Sequence, residues 1–232
     1  MSVRRAIDRI NEVCDVRSAL AYRDWIQAAA GWPGSDALFD RIGRADGEGQ
    51  VLDHLAELRY ALVFRYLGFA ITIEPLGQKG PDLEVSRGGL SAVVEVTRFR
   101  PMNPGPTDTD GELLSAYGDV ARDVTKSLGK LAGKFGQLDG QRSIIAVWND
   151  DDALEELEMS MAAKDLSSAP DMPTSLQFVL FGSSWTPPTR DLHCFQMRDL
   201  QGALEQWARD LETASVTAAV RSVVQAARAA RA

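Results

Sequence analysis

The chain has 232 residues, of which 45% are hydrophobic and 25% charged, the composition of an ordinary globular protein with a well-buried core. Its formal net charge of -8 excludes a uniformly basic nucleic-acid binder, because phosphate contacts rely on Lys and Arg. A duplex-binding surface on this chain would therefore have to be a local basic patch on an acidic body.

Three further classes of protein are disfavoured by the sequence. The longest apolar runs are far shorter than the ~20 residues that span a bilayer, and residues 1–16 have no apolar segment typical of a signal peptide. We therefore expect a cytoplasmic protein with no membrane partner. Cys14 and Cys194 lie far apart without metal-type spacing, which favours reduced thiols over a disulfide framework. The chain has 2 histidines, too few for a His-rich zinc site.

The chain begins with patterns that favour helices. Residues 3–29 read as one helix ended by Gly31-Trp32-Pro33-Gly34, and residues 35–42 as a short second helix. Together they predict an accessory helical cap over residues 1–49. Residues 50–67 form a strong helical pattern ended by Gly68, in which Glu57 lies at the edge of the core.

A strand and a hairpin follow this helix. Residues 69–74 alternate and are rich in β-formers, so they predict a strand. Gly88-Gly89 readily adopts the positive φ angles of a two-residue type I′ loop and therefore fixes a hairpin register. Counting outward from Arg87 opposite Leu90 pairs Val85 with Ala92, Leu83 with Val94 and Asp82 with Glu95.

The register places two carboxylates side by side. Directly opposed Cβ atoms lie roughly 4.5 to 5.5 Å apart, and like charges at that distance destabilise a sheet. A divalent cation is the simplest way to relieve the repulsion between Asp82 and Glu95. On the same face of the second strand, two residues after Glu95, lies Thr97.

Pro81-Asp82, the hairpin and Glu95-Val96-Thr97 together resemble the PD-(D/E)XK nuclease superfamily, also called restriction-endonuclease-like. The order of elements over about residues 50 to 150, a helix with a Glu, three strands, a helix and a strand, is similar to the core of that superfamily. The sequence departs from the family's pattern at Thr97, where the family has a catalytic Lys.

The resemblance implies a metal-dependent hydrolase of phosphodiesters. It implies that the carboxylates of Asp82 and Glu95 and the backbone carbonyl of Val96 hold Mg²⁺ or Mn²⁺. It further implies that Glu57 joins the metal site, directly or through water. The alternative is that Glu57 is a partly exposed residue that pairs with a neighbouring basic side chain. Thr97 occupies the position from which the family's Lys orients the attacking water and stabilises negative charge.

The most concentrated basic feature is a stripe of lysines on a helix predicted over residues 111–138, after a proline-rich loop at residues 100–110. Lys126, Lys130 and Lys134 recur every four residues and line one side of that helix. The stripe is either a solvated helix face or a track for the phosphate backbone, in which case one lysine replaces the charge missing at Thr97. Lys79, just before the motif Asp, is likewise either a solvated turn residue or a phosphate contact.

The second half of the chain carries fewer functional signals. Residues 142–148 and 176–181 are apolar runs typical of buried strands, and we interpret Asp150-Asp151-Asp152 as a helix start rather than a metal site. Residues 199–231 are helical with a break near Ser215. Their apolar stripe predicts a C-terminal helix that packs on the core or on a partner chain, as a homodimer or with another protein.

These patterns together predict an α/β fold with a restriction-endonuclease-like core, a mixed four- or five-stranded sheet flanked by helices, and helical additions at both termini. The expected divisions are the cap at 1–49, the core at 50–198 and the tail at 199–232, together forming one domain. The expected activity is cleavage of DNA or RNA. One alternative is an inactive nuclease-like module that binds nucleic acid or protein. The other is an α/β domain on which Asp82 and Glu95 are ordinary surface carboxylates.

Overall fold

A computed structural model describes residues 2–77, 80–99, 116–135, 141–150, 154–183 and 191–231 of the protein. The side chains of residues 116–123 and 134 lie outside this description. Within the described residues the chain forms eight helices and six strands. The class is α/β, as the sequence predicts.

Four helices precede the first three strands, the fifth and sixth helices each lie between two strands, and two helices follow the last strand. The helices are α1 (Ser2–Val13), α2 (Val16–Ala29), α3 (Ser35–Arg44), α4 (Glu48–Tyr66), α5 (Ala116–Phe135), α6 (Glu156–Ser167), α7 (Ala203–Thr213) and α8 (Val216–Ala229). The strands are β1 (Ala70–Ile73), β2 (Leu83–Arg87), β3 (Leu90–Phe99), β4 (Ser143–Asn149), β5 (Leu176–Ser183) and β6 (Leu192–Gln196).

The strands form a mixed sheet whose order follows the chain from β1 to β6. The β1/β2, β2/β3 and β5/β6 pairs are antiparallel, and β4/β5 is parallel. The expected number of four or five strands was too low, because the short run from Leu192 to Gln196 adds a sixth strand next to β5. A strand of this length offers too few residues for a clear period in the sequence.

The chain divides into two compact units. One consists of Met1–Thr97 and Thr213–Ala232, and the other of Arg98–Glu212. In the first unit α4 is the central helix, since it packs against α2, α3, α8, β1 and β2. Residues on most of its circumference are buried, from Val51 to Phe64. A polar side chain on this helix is therefore desolvated unless a neighbouring residue satisfies it.

The hairpin of the first unit has the predicted register. Leu83 pairs with Val94, Val85 with Ala92 and Arg87 with Leu90. The two loop glycines have φ angles of 63° and 80°, as the predicted type I′ turn requires. Asp82 lies one residue before β2, so the carboxylate partner inferred for Glu95 stands just outside the paired strand.

The N-terminal helical region differs from the prediction at one point. The single helix expected over residues 3–29 is broken at Cys14, and α2 begins afresh with Asp15 as its N-cap. The Asp15 carboxylate accepts hydrogen bonds from the backbone N–H groups of Arg17 and Ser18. Asp is a favoured N-cap, but the apolar positions continue in phase across the break and conceal it in the sequence. The break lets α1 pack against both α2 and α3.

The C-terminal segment returns to the first unit. It is interrupted where the sequence predicts, because Ser215 caps α8 and its hydroxyl oxygen accepts a hydrogen bond from the Ala218 N–H. Helix α8 packs against α2 and α4. The apolar stripe of this helix is therefore at least partly covered by the chain itself.

The second unit contains α5, β4, α6, β5, β6 and α7. Strand β4 is buried along its whole length, as its apolar run predicts. Helix α6 begins at Glu156 rather than at the run of aspartates, with the Glu155 N–H donating to the Glu158 carboxylate 3.0 Å away. None of the described helices of either unit combines the length and apolar character needed to cross a membrane.

Candidate functional site

Three acidic side chains of the first unit act on one arginine, and a fourth acts on one of these three. They are Glu57 on α4, Glu74 directly after β1, Asp82 directly before β2 and Glu95 on β3. The arginine is Arg41 on α3. We call these five residues the carboxylate cluster.

Glu57 is buried on the central helix, with 5% of its surface exposed. A carboxylate at such a position requires a charged partner. Arg41 is this partner and binds Glu57 in a bidentate pair, with Nη1 3.1 Å from Oε1 and Nη2 2.5 Å from Oε2. His54, one turn earlier, places Nδ1 3.1 Å from Glu57 Oε1. Both carboxylate oxygens of Glu57 are thus engaged within the protein.

Glu74 joins the cluster through an unusual backbone conformation. Its φ angle is +49°, and among the described residues it is the sole non-glycine with a positive φ. Such a conformation is uncommon and, for most residues, costs about 1 kcal/mol or more. Its N–H donates to the Asp82 carbonyl at 2.7 Å. Its Oε1 lies 2.5 Å from Arg41 Nε, an ion pair that lacks the alignment of a hydrogen bond.

Asp82 is held by the neighbouring strand and repelled by its acidic neighbours. Its Oδ2 accepts a hydrogen bond from the Val96 N–H at 2.7 Å. The pKa of Asp82 is nevertheless raised well above its usual value, first by burial and then by the negative charges of Glu57 and Glu95. The Val96 N–H and Arg41 oppose this shift without cancelling it. Negative charge is therefore in excess around Asp82.

Strand β3 carries the other residues of the predicted motif. Glu95 is 5% exposed, and Val96 and Thr97 are partly buried. Val96 offers its backbone N–H to Asp82, which ties the motif residues of the two strands together. The Asp82 carboxyl thus experiences the charges of both Glu57 and Glu95.

Arg41 is positioned by the turn between α2 and α3. Gly34 in this turn approaches the end of β1 so closely that an added Cβ would lie 1.7 Å from the Ile73 carbonyl oxygen. The Pro33 carbonyl accepts a hydrogen bond from the Ile73 N–H at 2.9 Å. These contacts set α3 beside β1, next to Glu74. Burial alone would lower the pKa of Arg41, but Glu57, Glu74 and Asp82 raise it, so the guanidinium is charged.

The cluster matches the donor chemistry of a hard divalent cation only in part. Carboxylate oxygens are the ligands that Mg²⁺ and Mn²⁺ prefer. Asp82 sits in excess negative charge, which a cation would relieve. Within the described residues, however, no group of three or more acidic, His or Cys side chains is arranged to hold a metal ion. The expected cation site of Asp82, Glu95 and the Val96 carbonyl therefore stays a prediction, and Glu57 is already paired with Arg41.

The predicted basic residues are described only in part. Lys126 and Lys130 lie on α5 and are exposed. Lys79 and the side chain of Lys134 lie outside the described residues. Asp150, the first residue of the aspartate run, is fixed by the protein: Arg98 Nε lies 2.5 Å from its Oδ2, and Trp148 Nε1 donates to its Oδ1 at 3.0 Å. Asp151 and Asp152 also lie outside the described residues.

Sequence reasoning missed two members of the cluster, Arg41 and Glu74. Arg41 reads as a solvated residue of a short amphipathic helix, and Glu74 as the last residue of a strand. Their pairing joins positions 33 residues apart, beyond the reach of helix or strand periodicity. Gly34 at the turn was the one local signal of this packing, since a glycine in a turn often marks a close approach of two backbone segments.

Comparison with known proteins adds no relative to this picture. No protein-family model, no curated protein and no solved structure matches the chain.

Proposed function

We propose that the protein is a metal-dependent phosphodiesterase acting on DNA or RNA, with Asp82 and Glu95 as its cation ligands. The observation that supports this proposal is the raised pKa of Asp82, caused by burial and by the charges of Glu57 and Glu95. Clusters of acidic groups that repel one another are costly to a fold and are common at functional sites. The resemblance to the PD-(D/E)XK nucleases points in the same direction.

Within this proposal each residue of the motif has a distinct part. Asp82 and Glu95, with the Val96 carbonyl, would hold Mg²⁺ or Mn²⁺. When bound, such an ion supplies polarisation of the scissile phosphate and activation of a water molecule. The Val96 N–H orients Asp82 through its hydrogen bond to Oδ2. Thr97 supplies no positive charge where the family has Lys, so stabilisation of the transition state is weaker.

The expected activity is slow cleavage. Loss of one preorganised charge-stabilising group typically costs about 10² to 10³ in rate. We therefore expect weak, Mn²⁺-favoured cleavage of DNA or RNA that Thr97→Lys increases and Glu95→Ala eliminates. Glu84→Ala is the matched control, because Glu84 is a neighbouring carboxylate of β2 that lies opposite Val93. This variant is expected to cleave at the wild-type rate.

The measurement is cleavage of labelled single- and double-stranded DNA and RNA with Mg²⁺, Mn²⁺ or a chelator. Circular dichroism of each variant confirms that the fold is intact. If wild type and Thr97→Lys both leave every substrate uncut with every divalent ion, the enzymatic proposal is wrong.

A second function is favoured by a specific observation. Arg41 already pairs with Glu57 and Glu74, and position 97 lacks a cation. Both features suit a nuclease-like module that binds nucleic acid or protein without cleaving it. Binding of labelled nucleic acid that Glu95→Ala leaves unchanged, in the absence of any cleavage, would select this alternative.

A further inference from the structure

The guanidinium of Arg41 contacts two carboxylates of the cluster, and its Nη1 also lies 3.2 Å from His54 Nδ1. Nη1 and Nη2 each contact one oxygen of Glu57, and Nε faces Glu74 at 2.5 Å. Arg presents its donors in a rigid fork, which matches a carboxylate in two places at once. Since the side chain of Arg41 is only 23% exposed, this pairing is largely shielded from solvent screening.

The pairing leaves the cluster unevenly balanced. Arg41 contributes one positive charge against the four carboxylates of the cluster. It contacts Glu57 and Glu74 directly. Asp82 has the smallest effect of the three carboxylates that raise the pKa of Arg41. Asp82 and Glu95 are the carboxylates that the proposed function assigns to the cation. Arg41 thus pairs directly with Glu57 and Glu74 and acts on Asp82 without direct contact.

A second observation concerns Glu74. Its Oε1 is buried and makes no hydrogen bond among the described residues, although Arg41 Nε lies beside it. Its backbone is held at a φ of +49°. A buried carboxylate oxygen with an imperfect partner retains a lone pair that a cation can take. Glu74 is therefore a potential ligand that Arg41 keeps occupied.

We propose that Arg41 is the internal counter-ion of the carboxylate cluster and that it lowers the affinity of the site for divalent cations. It does so in two ways. It withdraws Glu57 and Glu74 from the set of available ligands, and its charge repels a second cation. This inference rests on the proposed function, since Asp82 and Glu95 are taken as the cation ligands.

The first experiment measures Mn²⁺ binding by calorimetry to wild type and to Arg41→Gln. Removing a unit positive charge a few Å from a divalent ion, at the effective dielectric of a protein, changes the binding constant by at least about tenfold. We expect Arg41→Gln to bind Mn²⁺ at least about tenfold more tightly than wild type. Arg44→Gln is the matched control: Arg44 lies on the same helix, is 68% exposed and pairs with Asp40. Its affinity for Mn²⁺ should equal that of wild type.

A purely structural role for Arg41 predicts a different result. Arg41→Gln leaves buried carboxylates unpaired and is expected to lower Tm in a chelator. If Arg41 only stabilises the fold, Mn²⁺ will not restore Tm. If it stands in for a cation, Mn²⁺ will raise the Tm of Arg41→Gln by more than it raises that of wild type.

A double variant keeps the test valid if Arg41→Gln does not fold. Arg41→Gln with Glu57→Gln removes both members of the forked pair and restores the local charge balance. Glu74, Asp82 and Glu95 remain, so this variant should also bind Mn²⁺ more tightly than wild type. Equal Mn²⁺ affinities in wild type and the double variant would overturn the inference.

Failure of the inference and failure of the proposed function give different results. Tight Mn²⁺ binding by Arg41→Gln without nucleic-acid cleavage by any variant contradicts the nuclease proposal and supports the counter-ion. Cleavage by wild type with unchanged Mn²⁺ affinity in Arg41→Gln does the reverse. Tight binding that survives Glu95→Gln in the Arg41→Gln background places the cation elsewhere and overturns the inference.

Discussion

At the scale of single residues, Asp82 combines a stabilising and a destabilising interaction. It accepts the Val96 N–H, yet burial and the nearby Glu57 and Glu95 raise its pKa. A carboxyl whose pKa is higher in the folded state than in the unfolded state binds protons more strongly when folded. Its ionisation therefore destabilises the fold as pH rises from the unfolded pKa through the raised folded pKa.

Replacing Asp82 by Asn tests this balance. The amide keeps an oxygen that accepts the Val96 N–H but carries no charge to be repelled. We expect Asp82→Asn to be more stable than wild type at neutral pH, by about 0.5 to 2 kcal/mol, with the gain vanishing below the unfolded pKa. Urea unfolding at a series of pH values measures the difference.

Asp15→Asn is a control for which the expected change in stability has the opposite sign. The pKa of Asp15 is lowered by its hydrogen bonds to Ser18, first the side-chain contact and then the backbone N–H. Its charge thus stabilises the fold above the unfolded pKa, and this contribution is lost as pH falls through the folded pKa. Any effect of Asp15→Asn should therefore be destabilising at neutral pH and absent in acid. A gain for Asp82→Asn that does not depend on pH would contradict the role of charge repulsion.

Residue-level prediction from sequence succeeded where a local rule applied. Gly88-Gly89 has one favourable turn geometry, and the register counted from it is observed. The predicted pair of Asp82 with Glu95 is not part of the observed register, because Asp82 lies one residue before β2. Arg41 was missed because its partners are fixed by the packing of α3 beside β1, and no sequence period reports that packing.

At the scale of secondary-structure elements, the turn between α2 and α3 determines where Arg41 lies. Gly34 has a φ of +79°, and a Cβ there would meet the Ile73 backbone. Gly31 in the same turn has a φ of +87°, but a Cβ added there would meet no atom within 4 Å. The two glycines therefore share a left-handed backbone conformation. Only at Gly34 would an added Cβ also clash with the Ile73 backbone.

This pair allows a matched test of the contact. Gly31→Ala is expected to cost about 1 kcal/mol, the usual penalty of a left-handed conformation for Ala. Gly34→Ala adds a clash with a backbone carbonyl and is expected to cost at least about 2 kcal/mol more. The free energy of unfolding in urea measures both. Equal losses for the two variants would show that α3 can move away from β1 without cost.

The types of the elements could be predicted far better than their boundaries. Helix α4, strand β4 and the break at Ser215 follow from long or strongly patterned segments. The break at Cys14 was hidden because α1 and α2 continue the same apolar phase. Strand β6 was not predicted, since its place in the sheet depends on pairing with β5.

At the scale of the whole molecule, a net charge of -8 opposes approach to a polyanion. Binding of nucleic acid therefore requires a concentrated basic surface, and Lys126, Lys130 and Lys134 are the strongest candidates. Charge reversal of all three is expected to abolish binding at physiological salt and, for any binding left at low salt, to reduce the log-log salt slope by about 0.9 for each phosphate of duplex DNA that is no longer neutralised. Titration of labelled DNA and RNA at several salt concentrations provides the measurement.

The control for this prediction changes the net charge equally at other exposed positions. A suitable triple variant reverses Arg4, Lys164 and Arg209, all of which are exposed. It is expected to weaken binding only through the overall charge and to leave the slope close to that of wild type. If both triple variants behave alike, the lysine stripe has no special role and faces bulk solvent.

The position of Arg41 in the chain has a consequence during protein synthesis. Arg41 precedes Glu57, Glu74, Asp82 and Glu95 in the sequence, so a ribosome produces the counter-ion before any carboxylate of the cluster. At about 5 to 20 residues per second, Arg41 is available for seconds before β3 is complete. Each acidic residue thus emerges into a nascent chain that already contains its counter-ion. A circular permutant beginning at Glu48 would reverse this order, so that the four acidic residues would be synthesised before Arg41.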